Sequence, residues 1–160
     1  MSHRALILAL LLLFPVPIAA AQEKAAASAV EISGLVAQPG PVALTALPQK
    51  TVAVTQVTSQ GEFKGSYAGV ALWDVLAQAK VIDPGKGALL QRTVTITGRD
   101  GYAVVLSFSE INPDYGNNGA ILATARDGAS LSPKEGLRLV VPKDRRAGRA
   151  VRDVAKIEVK

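Results

Sequence analysis

Apolar and polar positions alternate in short runs along most of the chain, and the period changes clearly only once. Val30 to Val36 alternates weakly and predicts a first strand, closed by the turn signal Gln38-Pro39-Gly40-Pro41. Thr51 to Thr58, rich in β-branched residues and largely alternating, predicts a second strand, after which Gln60-Gly61 and Lys64-Gly65 mark a loop. From Val70 to Lys80 the spacing becomes helical. Leu72, Val75, Leu76 and Ala79 share one face, Asp74 and Gln78 the other, and Asp83-Pro84-Gly85 ends the segment. Trp73 on this helix reads as a core anchor.

The second half returns to strands. Thr93–Thr97 and Tyr102–Leu106 flank Gly98-Arg99-Asp100-Gly101, whose Asp-Gly pair is a hairpin signal. Phe108–Asp114 suggests a helical turn with Ser109 as its cap, on which Glu110 and Asp114 could share a face. Ala120–Ala125 is an apolar run ended by Arg126-Asp127-Gly128, and Leu137–Val141 is a buried-type strand stopped by Pro142. Val151, Asp153, Ala155, Ile157 and Val159 alternate as a closing strand. Six or seven strands around one main helix, without a βαβ alternation, predict an α+β domain of mainly antiparallel strands.

The first 21 residues follow a different rule. Arg4 precedes ten apolar residues, Ala5 to Phe14, and Ala19-Ala20-Ala21 puts small residues at a cleavage site before Gln22. This predicts a Sec-type secretory signal peptide and a periplasmic protein. The run is too short, and too broken by Pro15 and Pro17, to predict a transmembrane segment. Residues 22–29 are expected to be a disordered lead-in, and residues 30–160 a single domain.

Composition removes much chemistry. Of 160 residues none is cysteine and the one histidine, His3, lies in the signal segment. Disulfides, thiolate nucleophiles, thiolate or imidazole metal sites and a serine–histidine relay are therefore excluded from the mature domain. The net charge of +5 is unevenly placed. Lys134, Arg138, Lys143, Arg145, Arg146, Arg149, Arg152, Lys156 and Lys160 face only Glu135, Asp144, Asp153 and Glu158 in the last stretch. An anionic small molecule or a periplasmic partner protein suits that segment. Nucleic acid does not, for want of aromatics and of the right compartment. Lys143-Asp144-Arg145-Arg146-Ala147-Gly148-Arg149 sets a turn glycine among four cations, either a phosphate cradle or a solvated basic loop. Arg99 and Tyr102 could face a cleft, but Asp100-Gly101 reads better as a tight turn and Tyr102 as a strand start with its ring inward. Tyr67 likewise reads as structural.

Several segments together resemble a known family. They are Gly34-Leu35-Val36, Pro41-Val42-Ala43-Leu44 and Leu47-Pro48; Tyr67-Ala68-Gly69-Val70-Ala71-Leu72-Trp73-Asp74-Val75-Leu76; Asp100-Gly101-Tyr102; Gly136-Leu137-Arg138-Leu139-Val140-Val141-Pro142; and Gly148-Arg149-Ala150-Val151-Arg152 with Ile157-Glu158-Val159. In order and spacing they are similar to the molybdopterin-binding domain of sulfite-oxidase-type oxidoreductases. The resemblance implies small sheets around a cofactor cleft, with basic side chains near Arg149–Arg152 on the pterin phosphate. It also implies a cysteine ligand to molybdenum between the Thr51–Thr58 strand and Gly69. Thr58 to Ser66 contains none, and a Sec-type signal would deliver the chain unfolded and empty. The expected cofactor-binding residues are Arg138, Lys143, Arg145, Arg149 and Arg152, with no metal ligand and no assigned catalytic residue. The expected function is a non-catalytic module binding an anion, a pterin phosphate or a partner. The alternative is a molybdopterin-dependent oxidoreductase, or a subunit of one, with non-thiolate ligation; whether the chain is an enzyme stays open at this point.

Overall fold

The computed structural model describes residues 29–160, so the predicted signal segment and nearly all of the expected lead-in lie outside the described residues. Ten strands form two sheets. The first is ordered β2-β1-β10-β5-β6, from β1 (Ala29–Gly34), β2 (Gly40–Ala43), β5 (Thr93–Gly98), β6 (Ala103–Ser107) and β10 (Val154–Val159). The second is ordered β3-β4-β7-β8, from β3 (Gln49–Thr58), β4 (Gly61–Ala71), β7 (Ile121–Arg126) and β8 (Ala129–Ser130), with β9 (Arg138–Val140) also on β7. The β1–β10 pair is parallel and every other pair is antiparallel. Helix is sparse: α1 (Leu72–Gln78), α2 (Phe108–Ile111) and three single 3-10 turns.

The sheet-rich α+β domain expected from the pattern is what the chain forms, with differences that have physical causes. The helix is shorter than Val70–Lys80. Val70 and Ala71 finish β4 against Leu122 and Ile121, and Lys80 takes a left-handed φ of 54° that stops the helix. Lys64-Gly65 is not a turn. Thr58 pairs with Gly61 across a two-residue turn, and β4 runs straight through residue 65. Gly65 leaves room there: a Cβ would lie 2.6 Å from the Phe63 ring and 2.7 Å from the Asp127 carboxylate, so either side chain would have to move. Gly69 meets a similar constraint at a bulge, where a Cβ would overlap the Leu122 carbonyl of β7. The cap of α2 is Ser107 rather than Ser109. Its hydroxyl accepts from Glu110 N–H (3.1 Å) while Glu110 Oε1 accepts from Ser107 N–H (3.3 Å), a reciprocal capping box. Asp114 lies beyond α2 and shares no helical face with Glu110. β10 begins only at Val154, and a register shift between Val154 and Lys156 breaks the alternation expected from residue 151.

The main core lies between the first sheet, α1 and one face of the second sheet, which contributes Val70, Leu122 and Leu139. A smaller cluster of Val54, Tyr67, Ile121, Ala123 and Val140 covers the opposite face. Trp73 packs on Phe108 with ring centroids 5.5 Å apart, an anchor on the core edge. At the centre of the first sheet Ile157 pairs with Ile32 on one side and Ile96 on the other, all three with 0% exposure. Deleting such a side chain removes transfer energy and leaves a void. Ile157→Ala is therefore expected to cost about 2–5 kcal/mol, read as a lower urea midpoint at unchanged slope. A loss well below ~1 kcal/mol would contradict its central place.

Candidate functional site

The chain between β9 and β10 crosses the end of both sheets, and the cleft is built where it meets two hairpin ends. One is the β3–β4 tip, where Gln60 N–H and the Gly61 carbonyl both bond to the Thr58 hydroxyl (3.1 and 2.9 Å). The other is the β5–β6 turn, where Asp100 Oδ1 accepts from Tyr102 N–H at 2.9 Å. The crossing segment is tied to both. Val57 N–H donates to the Arg145 carbonyl (2.8 Å), and the Tyr102 hydroxyl donates to the Gly148 carbonyl (2.6 Å). Between them lies a cleft of about 590 Å³, lined by Thr58, Ser59, Asp100, Tyr102, Arg138, Arg146, Gly148 and Arg152 among others. A smaller lobe of about 280 Å³ shares Thr58, Ser59, Arg138 and Arg152 and reaches Gln56, Phe63, Tyr67, Arg126 and Glu135.

Of the five predicted binding residues, the fold brings Arg138 and Arg152 to this cleft and sends the others elsewhere. Lys143 is exposed, its Nζ donating to the Gly116 carbonyl at 3.4 Å. Arg145 offers its carbonyl to Val57, and its side chain does not line the cleft. Arg149 is turned onto acids. Its Nε and Nη2 grip Asp144 at 2.8 and 2.6 Å, and Nη1 reaches Glu110 at 3.1 Å. The Asp144 hydrogen bonds in particular raise the pKa of its guanidinium above the ordinary arginine value, so it is a fixed strut joining α2 to the cleft wall. Arg146, outside the predicted five, lines the main lobe. It stands in the same basic run as Arg149, and only the fold distinguishes the two. Arg126, at the end of β7, lines the smaller lobe and also lay outside that set.

Tyr102 corrects the sequence reading. It precedes β6, is 49% exposed, and presents its ring to the cleft instead of packing inward, because Ala103 rather than Tyr102 begins the pairing with β5. Tyr67 is buried as expected, yet its ring borders the smaller lobe with the Arg138 guanidinium 5.7 Å from its centroid.

The electrostatics favour an anion. Among the described residues Arg146 and Arg152 form no ion pair, and the nearest carboxylate to Arg138 is Glu135, at 3.9 Å. Arg138 is only 11% exposed, and its Nε is buried without a hydrogen-bond partner. A buried donor left unpaired costs roughly 1–3 kcal/mol. No group of three or more His, Cys, Asp or Glu among the described residues could hold a metal ion.

Compared with known families, residues 16–160 match the oxidoreductase molybdopterin binding domain, and the chain belongs to that family. The match begins inside the predicted signal segment, outside the described residues. No curated protein gives a significant match. Thr58 and Ser59, at the hairpin tip where the family resemblance implies a thiolate ligand nearby, line the cleft, and neither carries a thiol.

The strut predicts a stability effect separable from binding. Arg149→Ala is expected to cost about 1 kcal/mol, kept small because the guanidinium is a third exposed. Measured by thermal unfolding, the loss should shrink as salt is raised. A neutral substitution would mean that Asp144 and Glu110 do not need their partner.

Proposed function

We propose that this chain is an exported, periplasmic and non-catalytic member of its family, a single domain over residues 30–160 that binds an anionic small molecule carrying a phosphate group. One observation carries the reading: Arg138, Arg146 and Arg152 line one cleft, where Arg146 and Arg152 form no ion pair among the described residues and Arg138 meets Glu135 only at 3.9 Å; Asp100 is the one acid on the same wall. Ser59, at the hairpin tip, lines the same cleft and adds a hydroxyl suited to an oxyanion. The residues suit one part of the family's cofactor and not the other. A pterin phosphate matches the guanidinium groups of Arg146 and Arg152, which form no ion pair, together with that of Arg138. The molybdenum end does not fit, because an alcohol is a hard, protonated ligand at neutral pH and no thiolate exists anywhere in the chain. No helix among the described residues is long and apolar enough to cross a membrane.

The reading is tested on protein purified from its native compartment. Molybdenum well below stoichiometric amounts, and no fluorescence of oxidised pterin bound with the metal, are expected. Stoichiometric molybdenum would overturn the reading in favour of an oxidoreductase with non-thiolate ligation. On metal-free protein, a phosphate monoester at a hundredfold excess over Kd should stabilise the fold by roughly 2.7 kcal/mol. Arg146→Ala with Arg152→Ala should abolish that gain. Equal stabilisation of the double variant would remove the cleft as the anion site.

A further inference from the structure

Glu135 sits between two arginines and holds neither well. Its Oε1 lies 3.4 Å from Arg126 Nη1 and 3.9 Å from Arg138 Nη1, whereas Asp144 holds Arg149 at 2.6 and 2.8 Å. The carboxylate is nonetheless fixed in place. Its residue closes a turn in which Glu135 N–H donates to the Ser132 carbonyl (2.9 Å), and the Ser132 hydroxyl donates to Oε2 (3.2 Å). The Glu135 carbonyl accepts from Asp153 N–H (2.8 Å), which anchors the turn to the strand that follows Arg152. Arg138 is equally constrained. It lies on β9 between buried Leu137 and Leu139, borders both lobes of the cleft, and has its Nε buried without a partner.

A cation held at 3.9 Å by a well-anchored acid, with donor capacity to spare, is shared rather than satisfied. We propose that Glu135 is a built-in competitor anion: it occupies Arg138 in the ligand-free protein and gives it up to an incoming phosphate, so that it sets the affinity of the cleft. The proposal rests on the anion-binding reading above. Part of the attraction between Arg138 and a bound anion is spent replacing Glu135, and the acid left behind in the smaller lobe opposes a second negative charge there. The cleft is thereby tuned to an anion strong enough to displace a carboxylate, such as a phosphate dianion, over a weaker monoanion.

The test is a double-mutant cycle with inorganic phosphate as probe, read by calorimetry on the mature chain, with circular dichroism confirming that each variant is folded. Glu135→Gln keeps the shape and the bond from Ser132 while removing the charge. It is expected to tighten phosphate binding roughly three- to fivefold, the worth of one partly buried ion pair. In an Arg138→Gln background the same change should have little effect, because nothing remains to compete for. No tightening in the native background, with the wild type binding normally, would overturn the proposal. An equal gain in both backgrounds would also overturn it, since that is the signature of a general field and not of competition for Arg138. Absence of phosphate binding in all four proteins would overturn the anion-binding reading together with the inference.

Discussion

The register of the segment that enters β10 is the constraint on which the rest of the molecule depends. Leu139 N–H donates to the Val151 carbonyl, Asp153 N–H to that of Glu135, and Val154 N–H to that of Leu137, at 2.7–2.9 Å. These bonds join the end of the second sheet to the beginning of the central strand of the first. Arg152 is carried between them, and Arg138 stands on the opposing strand, so two cationic walls of the cleft are set by backbone pairing before any side chain is considered. A slip by one residue would put Val151 or Asp153 in the place of Arg152 and take its guanidinium out of the cleft.

The cleft owes its shape to contacts internal to the polypeptide. The hairpin tip is held by Val57 on Arg145, the opposite turn by Tyr102 on Gly148, and the intervening wall by the fork of Arg149 on Asp144 and Glu110. None of these bonds needs a metal or a cofactor to close it. A family whose fold surrounds a cofactor can therefore keep the surrounding architecture when the thiolate is missing, and the cationic pocket survives as a feature of the backbone.

Much of this was legible in the order of residues, and the rest was not, for identifiable reasons. Strands with clear alternation, such as β3 and β5, and the Asp-Gly hairpin follow from local chemistry and occur where the pattern puts them. β2 was hidden because Gly40-Pro41 reads as a turn, although Pro41 can sit on an edge strand that needs no donor from it. Lys64-Gly65 misled in the opposite sense, since the glycine answers a crowded neighbour across the sheet rather than a bend. The basic segment was visible as composition, but composition cannot tell a spent charge from a free one. Arg146 and Arg149 stand three residues apart in one run, and the fork on Asp144, with Glu110 reaching in from α2, makes Arg149 the one that is neutralised. Arg126 and the exposed ring of Tyr102 lie far from that run in the chain and meet the cleft only through sheet pairing.

The parallel pairing of β1 with β10 also governs the order in which the fold can be completed. β10 lies between β1 and β5, so until residues 154–159 are available the first sheet exists only as two unjoined hairpins, β1–β2 and β5–β6. Neither hairpin can bury its inner face alone, and Ile32 and Ile96 then lack the strand that pairs with both. Completion waits on the most distant pairing in the domain, residues 31–34 against 156–159, whose loop-closure cost must be met before the core rewards it. Until residues 154–159 are made, neither the first sheet nor the main core that packs on it can close.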